Sequence, residues 1–221
     1  MPKTKIYKRE NYLNKIRGFY DDDETIKVIV GIRRSGKSFL LKSIIEELMQ
    51  NGVKEKDIIY IRLDKRPYKS IKTPDELEKI IESMITDDGF KYLFIDEVQN
   101  VKGYETVIDS YRGEGNMSIF ITGSNSYLLS GELATKLTGR KIEIEMLPLN
   151  FYEYVDMKKF LGKEINNNIY LEFQEYVREG GFPGSLKYEN HEDRVRYMTS
   201  LGQDCSVRVI KITQKILILL F

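Results

Sequence analysis

The sequence predicts an α/β fold, a five-stranded parallel sheet between helices followed by a small helical region, and three observations carry that reading. Strand-like and helix-like segments alternate from residue 25 to residue 147, the pattern of a parallel sheet with crossover helices. A stretch with two glycines, Gly31-Ile32-Arg33-Arg34-Ser35-Gly36-Lys37-Ser38, sits at the first strand-to-helix junction. From Asn150 onward the alternation stops, and aromatic and aliphatic residues recur at helical spacing.

The elements follow in order. Thr25-Ile26-Lys27-Val28-Ile29-Val30 is a β-branched run of the kind that forms a strand buried on at least part of both faces. After the glycine-containing stretch, Phe39, Leu40, Leu41, Ile44, Ile45, Leu48 and Met49 recur every three or four residues. Lys42, Glu46, Glu47 and Gln50 stand between them, so the segment reads as an amphipathic helix, and Gly52 stops it. Residues 57–63 form the second strand. Residues 74–84 form a helix with Thr73 as N-cap, Pro74 at the first helical position, and Leu77, Ile80, Ile81 and Met84 on one stripe. The third strand is 91–97, a helix spans 104–111, the fourth strand is 117–123 and a further helix spans 127–137. In the fifth strand, 141–147, Ile142, Ile144 and Met146 alternate strictly with Lys141, Glu143 and Glu145. That alternation predicts a half-exposed strand at or near an edge, and Pro148 ends it. Phe151, Tyr154, Val155, Met157 and Phe160, then Tyr170, Phe173, Tyr176 and Val177, mark two amphipathic helices, and Gly180-Gly181-Phe182-Pro183-Gly184 is a turn between the last two helices.

Bulk properties narrow the functional classes. Charged residues make up 31 % of the 221 and nearly cancel, leaving a formal net charge of +1, which is not the signature of a dedicated nucleic-acid-binding protein; a local patch is still allowed. The one cysteine, Cys205, excludes an internal disulfide, and with one histidine, His191, no zinc site can be built from His and Cys. His191 lies in Glu189-Asn190-His191-Glu192-Asp193 and reads as a surface residue. The start Met1-Pro2-Lys3-Thr4-Lys5 leads into no apolar signal-peptide core, and the longest apolar run, 216–221, is too short to span a bilayer. The expectation is a cytoplasmic protein without a membrane partner.

Residues 31–38 match the phosphate-binding loop G-x-x-x-x-G-K-[ST] in its required strand–loop–helix context. Gly31 and Gly36 lack Cβ atoms, so the backbone between them can curl round a phosphate and turn its amides inward, while the following helix presents its positive dipole end. Lys37 would reach the β- and γ-phosphates and Ser38 would ligate Mg²⁺. Arg33, Arg34, Ser35 and Phe39 complete the candidate nucleotide contacts, with at least one of the two arginines in solvent.

Tyr92-Leu93-Phe94-Ile95-Asp96-Glu97 has the form of a Walker B strand, four apolar residues ending in two carboxylates. Side chains alternate along a strand, but at its end the backbone can turn both acids toward a ligand. Asp96 would bind Mg²⁺ through water, and Glu97 would orient and activate the water that attacks the γ-phosphate; an acidic pair after a strand also suits a helix N-cap. A Glu directly after the metal-binding Asp points to P-loop ATPases that insert one strand between the phosphate-loop strand and the Walker B strand. The inserted strand is predicted to be the one ending in Ile121-Thr122-Gly123-Ser124-Asn125, with Asn125, or else Ser124, as the polar sensor beside the attacking water; the same residues also suit a turn and N-cap. Arg140 precedes the fifth strand, where AAA+ ATPases place an arginine finger that reaches a neighbouring subunit's site, although a basic helix C-cap explains it equally.

Together these motifs resemble a prokaryotic family of AAA+-type P-loop ATPases that carry the ATPase domain first and a C-terminal domain of unknown function second. The resemblance rests on 30–38, on Phe94-Ile95-Asp96-Glu97-Val98-Gln99, on Ile121-Thr122-Gly123-Ser124-Asn125-Ser126, on Leu133-Ala134-Thr135-Lys136-Leu137-Thr138-Gly139-Arg140 and on Leu147-Pro148-Leu149-Asn150-Phe151-Tyr152-Glu153, and covers residues 8–200. It implies a P-loop NTPase fold, ATP as nucleotide, Mg²⁺ as cofactor and an intracellular setting. The organisation expected is a basic N-terminal segment over 1–24, the ATPase domain over 25–149, a helical region over 150–205 and an atypical tail over 206–221. Because family members run on beyond this length, the tail reads as a truncated or frame-shifted end, with a genuine terminal strand as the alternative. The functional expectation is Mg-dependent ATP hydrolysis coupled to a partner or appended domain, with possible self-assembly. Two alternatives stand beside it. One is a nucleotide-switched scaffold with slow or no hydrolysis. The other is a DNA-associated ATPase, motivated by Lys3, Lys5, Lys8, Arg9, Lys15 and Arg17, a run that also suits a solvated surface.

Overall fold

The structure, a computed structural model, describes residues 5–124 and 139–202. It divides into two compact units, one made of Met1–Gly31 with Lys37–Met146 and the other of Ile32–Gly36 with Leu147–Phe221. The expected helix over 127–137, the residue Asn125 and the tail over 206–221 lie outside the described residues.

The first unit is built on five parallel strands, β1 (Ile26–Gly31), β2 (Ile58–Arg62), β3 (Lys91–Asp96), β4 (Met117–Gly123) and β5 (Lys141–Met146), in the order β2-β3-β4-β1-β5. β4 therefore lies between β1 and β3, the inserted strand that the acid pair predicts, and β5 is an edge, as its alternating pattern requires. Both sides of the central strands are apolar because helices cover both. On one side, α1 (Glu10–Ile16) and α2 (Lys37–Gln50) bury Tyr12, Leu13, Ile16, Leu40, Leu41, Ile44 and Leu48 against Ile29, Phe94, Phe120, Ile144 and Met146. On the other, α3 (Pro74–Met84) and α4 (Tyr104–Glu114) bury Leu77, Ile81, Tyr104, Val107 and Ile108 against Val28, Val30, Ile59, Ile61, Leu93, Ile95, Ile119 and Ile121. Successive strand residues go to opposite layers, so one register step would invert the core.

Local chemistry fixes the boundaries. Thr73 caps α3 through a full capping box with Glu76, and Pro74 takes the first position, where its missing N–H costs nothing. Helix α2 begins at Lys37, two residues ahead of the apolar stripe in the sequence. The N-terminal segment is more than a charged lead: Tyr12, Leu13, Ile16 and Tyr20 are buried, while Arg17 bonds the Glu47 carboxylate at 2.8 and 3.0 Å and Lys8 reaches it at 3.4 Å.

In the second unit, α5 (Phe151–Phe160) starts with a capping box between Asn150 and Glu153, and α6 (Ile169–Glu179) and α7 (His191–Gly202) follow. Buried Lys158, Glu172, Glu179 and Arg194 pair across these helices: Lys158 with Glu172 at 2.5 Å and Arg194 with Glu179 at 2.7 Å. Gly181 is required by close approach, since a Cβ there would lie 2.2 Å from the Leu149 carbonyl oxygen. His191 is exposed, with Nδ1 3.0 Å from Glu179.

Candidate functional site: a phosphate loop and a paired acid

The carboxyl ends of β1, β3 and β4 bring the candidate catalytic side chains of the first unit together. β1 ends at Gly31, whose φ of 158° is extended, and its carbonyl accepts a 2.9 Å hydrogen bond from the Lys37 ammonium. Lys37 opens α2 and is only 3 % exposed, with Nζ 4.0 Å from Glu97 Oε1. A buried lysine at a helix N-terminus is an expensive arrangement that an anion relieves. Ser38 is half-buried in the same first turn, and Phe39 is 48 % exposed with the Lys42 ammonium 5.3 Å above its ring.

β3 delivers the acids. Asp96 is fully buried on the β3 face that also carries Phe94, and in register with β4 it lies beside Thr122, as Phe94 lies beside Phe120. The rings of Phe94 and Phe120 stack at 4.6 Å, and one pleat further on the Thr122 hydroxyl donates to Asp96 Oδ1 at 2.7 Å. Thr122 Oγ1 also accepts the backbone N–H of Glu97 at 3.0 Å. Glu97 itself is left-handed, φ 60° and ψ 51°. That conformation disfavours a side-chain-bearing residue, and it is how the chain turns at the end of β3. The Glu97 carboxylate, 23 % exposed, receives a 2.5 Å bond from Gln99 Nε2.

Two side chains from the edge strand β2 complete the surroundings of Asp96. The Tyr60 hydroxyl donates to Oδ2 at 3.3 Å, and Arg62 Nε lies 3.6 Å from the same oxygen. Burial, reinforced by the Asp96 charge, pushes the Tyr60 phenol well above its ordinary range and keeps it a neutral donor.

The loop residues Ile32–Gly36 belong with the second unit. Arg34 is left-handed, φ 68°, and Gly36 has φ 110°, so the loop folds back between them as the motif requires. Ile32 packs on Phe182, Met198 and Leu201, and the Arg34 guanidinium stands 5.3 Å over the Tyr197 ring. Arg33 is exposed and Ser35 buried.

The structure thus groups Lys37, Asp96 and Glu97, as the sequence expects, and adds Thr122, Gln99, Tyr60 and Arg62. Of these, Thr122 had a legible signal, a polar residue in the apolar run Ile119-Phe120-Ile121. Ser124 follows β4 and is half-buried. Arg140 is not part of this group. It sits at the opposite end of the sheet, since Lys141 pairs with Ile26, the first residue of β1, and five strand steps of ~3.3 Å separate that edge from Gly31. There Arg140 is 51 % exposed and lies 3.4 Å from Asp109.

The chemistry fits a nucleotide and its metal: a buried ammonium at a helix start, a loop with left-handed turns, and hard oxygen donors in Asp96 and Ser38, the ligand type Mg²⁺ selects. Comparisons with known proteins point the same way. The sequence model of the AAA domain family matches residues 23–155, more than half of the chain. An uncharacterized protein of Haemophilus influenzae is 40 % identical over 177 residues, which are 79 % of this chain and 43 % of that protein, so the chain spans less than half of that curated relative. Among solved structures, the replication initiator DnaA bound to AMPPCP and single-stranded DNA superposes with a TM-score of 0.55 at 14 % identity, covering 96 % of this chain and 66 % of that one. Cdc6p of Pyrobaculum aerophilum gives a TM-score of 0.52 at 14 % identity over 71 % of this chain and 50 % of that one. At such identities the two structures speak to the fold. Among the described residues no helix is long and apolar enough to cross a membrane.

Proposed function

The chain belongs to the AAA domain family of AAA+-type P-loop ATPases, and from that premise we propose that it binds Mg-ATP and hydrolyses it. The observation that carries the proposal is the cluster at the ends of β1, β3 and β4: buried Lys37 within 4.0 Å of Glu97, beside an Asp96 held by Thr122. In this reading the amides of residues 31–36 and the Lys37 ammonium hold the phosphates. Ser38 and Asp96 hold Mg²⁺, which supplies neutralisation of the phosphate oxygens. The Glu97 carboxylate, fixed by its own amide on Thr122 and by Gln99, orients the attacking water and takes its proton. Asn125, or Ser124, is the proposed sensor. Arg140, remote from its own chain's cluster, is assigned to a neighbouring subunit's site, which makes a homo-oligomer the working form.

The ATPase domain is proposed to span 25–149 and the helical region to start at 150, in an intracellular protein. Support for coupling comes from the second unit, where the phosphate-loop residues Ile32 and Arg34 pack on Phe182, Met198, Leu201 and Tyr197. The same packing favours a second reading, a nucleotide-controlled scaffold in which loop occupancy holds the helical region for a partner. DnaA in its nucleotide complex also binds single-stranded DNA, and DNA is carried over as a proposed partner here.

The test is equilibrium binding of a fluorescent ATP analogue with Mg²⁺ and with chelator. Wild type is expected to bind in a Mg²⁺-dependent way, and Lys37→Ala to lose binding by tenfold or more while folding normally. Wild-type affinity that Lys37→Ala leaves untouched would place the nucleotide elsewhere.

A further inference from the structure

Among the described residues, the strongest concentration of unspent charge is not at the basic N-terminus. There Arg17 is bonded to Glu47 and Glu10, Lys8 lies against Glu47, and the Arg9 guanidinium is stacked 4.5 Å over Tyr12. It is in the loop that leaves β2, Arg62-Leu63-Asp64-Lys65-Arg66-Pro67-Tyr68-Lys69-Ser70-Ile71-Lys72. Five cations face one carboxylate in these eleven residues, a net +4 in a chain whose total is +1. Lys65, Arg66, Lys69 and Lys72 are all exposed. Among the described residues, Lys65 pairs with exposed Asp64 alone, at 3.7 Å, and Arg66, Lys69 and Lys72 make no ion pair.

We propose that this loop is a docking surface for the phosphate backbone of a nucleic acid, a role that does not depend on ATP hydrolysis. Except for exposed Pro67, its apolar residues are turned inward: Leu63 is 1 % exposed, Ile71 6 %, and Tyr68 packs on the core. Hydrogen bonds pin the backbone, from Lys65 N–H to Arg62 O at 3.0 Å, Lys69 N–H to Lys65 O at 2.8 Å and Ile71 N–H to Tyr68 O at 3.0 Å. The result is an array of exposed cations on a hydrogen-bonded backbone, with Pro67 the one exposed apolar residue of the loop. A membrane surface is gripped by apolar wedges as well as charge. A protein partner is anchored mainly by aromatic and aliphatic residues at the interface centre. A polyphosphate strand needs neither, because neutralising its phosphates releases condensed counterions. Phosphate contacts fix position and carry no base identity, so the contact this loop makes through them is independent of sequence. Arg62, which opens the loop, lies 3.6 Å from Asp96, so the surface adjoins the nucleotide cluster.

The experiment is fluorescence anisotropy of a labelled 30-mer oligothymidylate and of a duplex of the same length, titrated with the full chain from 50 to 200 mM salt. With four cations engaged, the plot of log affinity against log salt is expected to have a slope of about −3, which weakens binding roughly a hundredfold over that range. The quadruple variant Lys65→Ala, Arg66→Ala, Lys69→Ala, Lys72→Ala is expected to lose binding and flatten the slope while melting like wild type, since all four side chains are in solvent. A Lys-to-Arg and Arg-to-Lys swap at the same positions keeps the charge and is expected to restore binding. The proposal fails if the quadruple variant binds like wild type, if the slope is near zero, or if polyglutamate or anionic vesicles compete better than the oligonucleotide. ATP binding by the quadruple variant is expected to be unchanged, so loss of nucleic acid is separable from failure of the nucleotide site.

Discussion

Replacing Thr122 by Val keeps the shape of a β-branched side chain and removes one oxygen that serves two partners. That oxygen donates to the fully buried Asp96 at 2.7 Å and accepts the Glu97 amide at 3.0 Å. A hydrogen bond to a charged group contributes about 1.5–3 kcal/mol, and a buried donor left without a partner costs about 1–3 kcal/mol. Together the substitution is expected to cost about 3–5 kcal/mol, out of a total stability of about 5–15 kcal/mol for a domain of ordinary size. Thr122→Ser, which keeps the oxygen and loses one buried methyl, is expected to cost about 1 kcal/mol. Urea unfolding followed by circular dichroism reads both. A cycle with Asp96→Asn adds a sharper criterion, because the two substitutions should be strongly non-additive. If Thr122→Val is as stable as Thr122→Ser and additive with Asp96→Asn, the hydroxyl does not hold the acid pair.

Gly181→Ala places a Cβ 2.2 Å from the Leu149 carbonyl, a backbone atom that cannot swing aside, and is expected to destabilise the helical unit by about 1–3 kcal/mol, read as faster hydrogen exchange at the Leu149 amide. The Arg17 guanidinium holds the Glu47 carboxyl down to about 2 from an ordinary 4.5, so this pair's contribution is complete above pH ~4.5 and is lost as pH falls toward 2. Melting temperature should drop over that window in wild type and less steeply in Glu47→Gln. Arg140→Ala is expected to leave ATP affinity intact and lower turnover by about 10³-fold, with activity recovered on mixing with Glu97→Gln subunits, each of which supplies what the other lacks.

Most of the fold is legible because its elements carry their own patterns: the N-cap Thr73 with Pro74 after it, the stripe along α2, the alternation in β5. The phosphate loop and acid pair were readable because their residues are consecutive. Thr122 stands out as a polar residue in an apolar run, but its role is not legible there, because its contact with Asp96 depends on β3 and β4 lying side by side in register, and the two are separated by a helix in sequence. Helix α1 is hard to read because the apolar residues that seat it on the sheet, Tyr12, Leu13 and Ile16, are few and interleaved with charges. Arg62 and Tyr60 reach Asp96 from β2 for the same reason as Thr122, a parallel pairing that periodicity does not encode.

The most direct test of the central claim is steady-state phosphate release with Mg-ATP by wild type and Glu97→Gln, with binding measured in parallel. Turnover in wild type and tight binding without turnover in Glu97→Gln is the predicted pair of results. Hydrolysis by Glu97→Gln at the wild-type rate would contradict the role given to Glu97 and with it the ATPase mechanism built on this cluster.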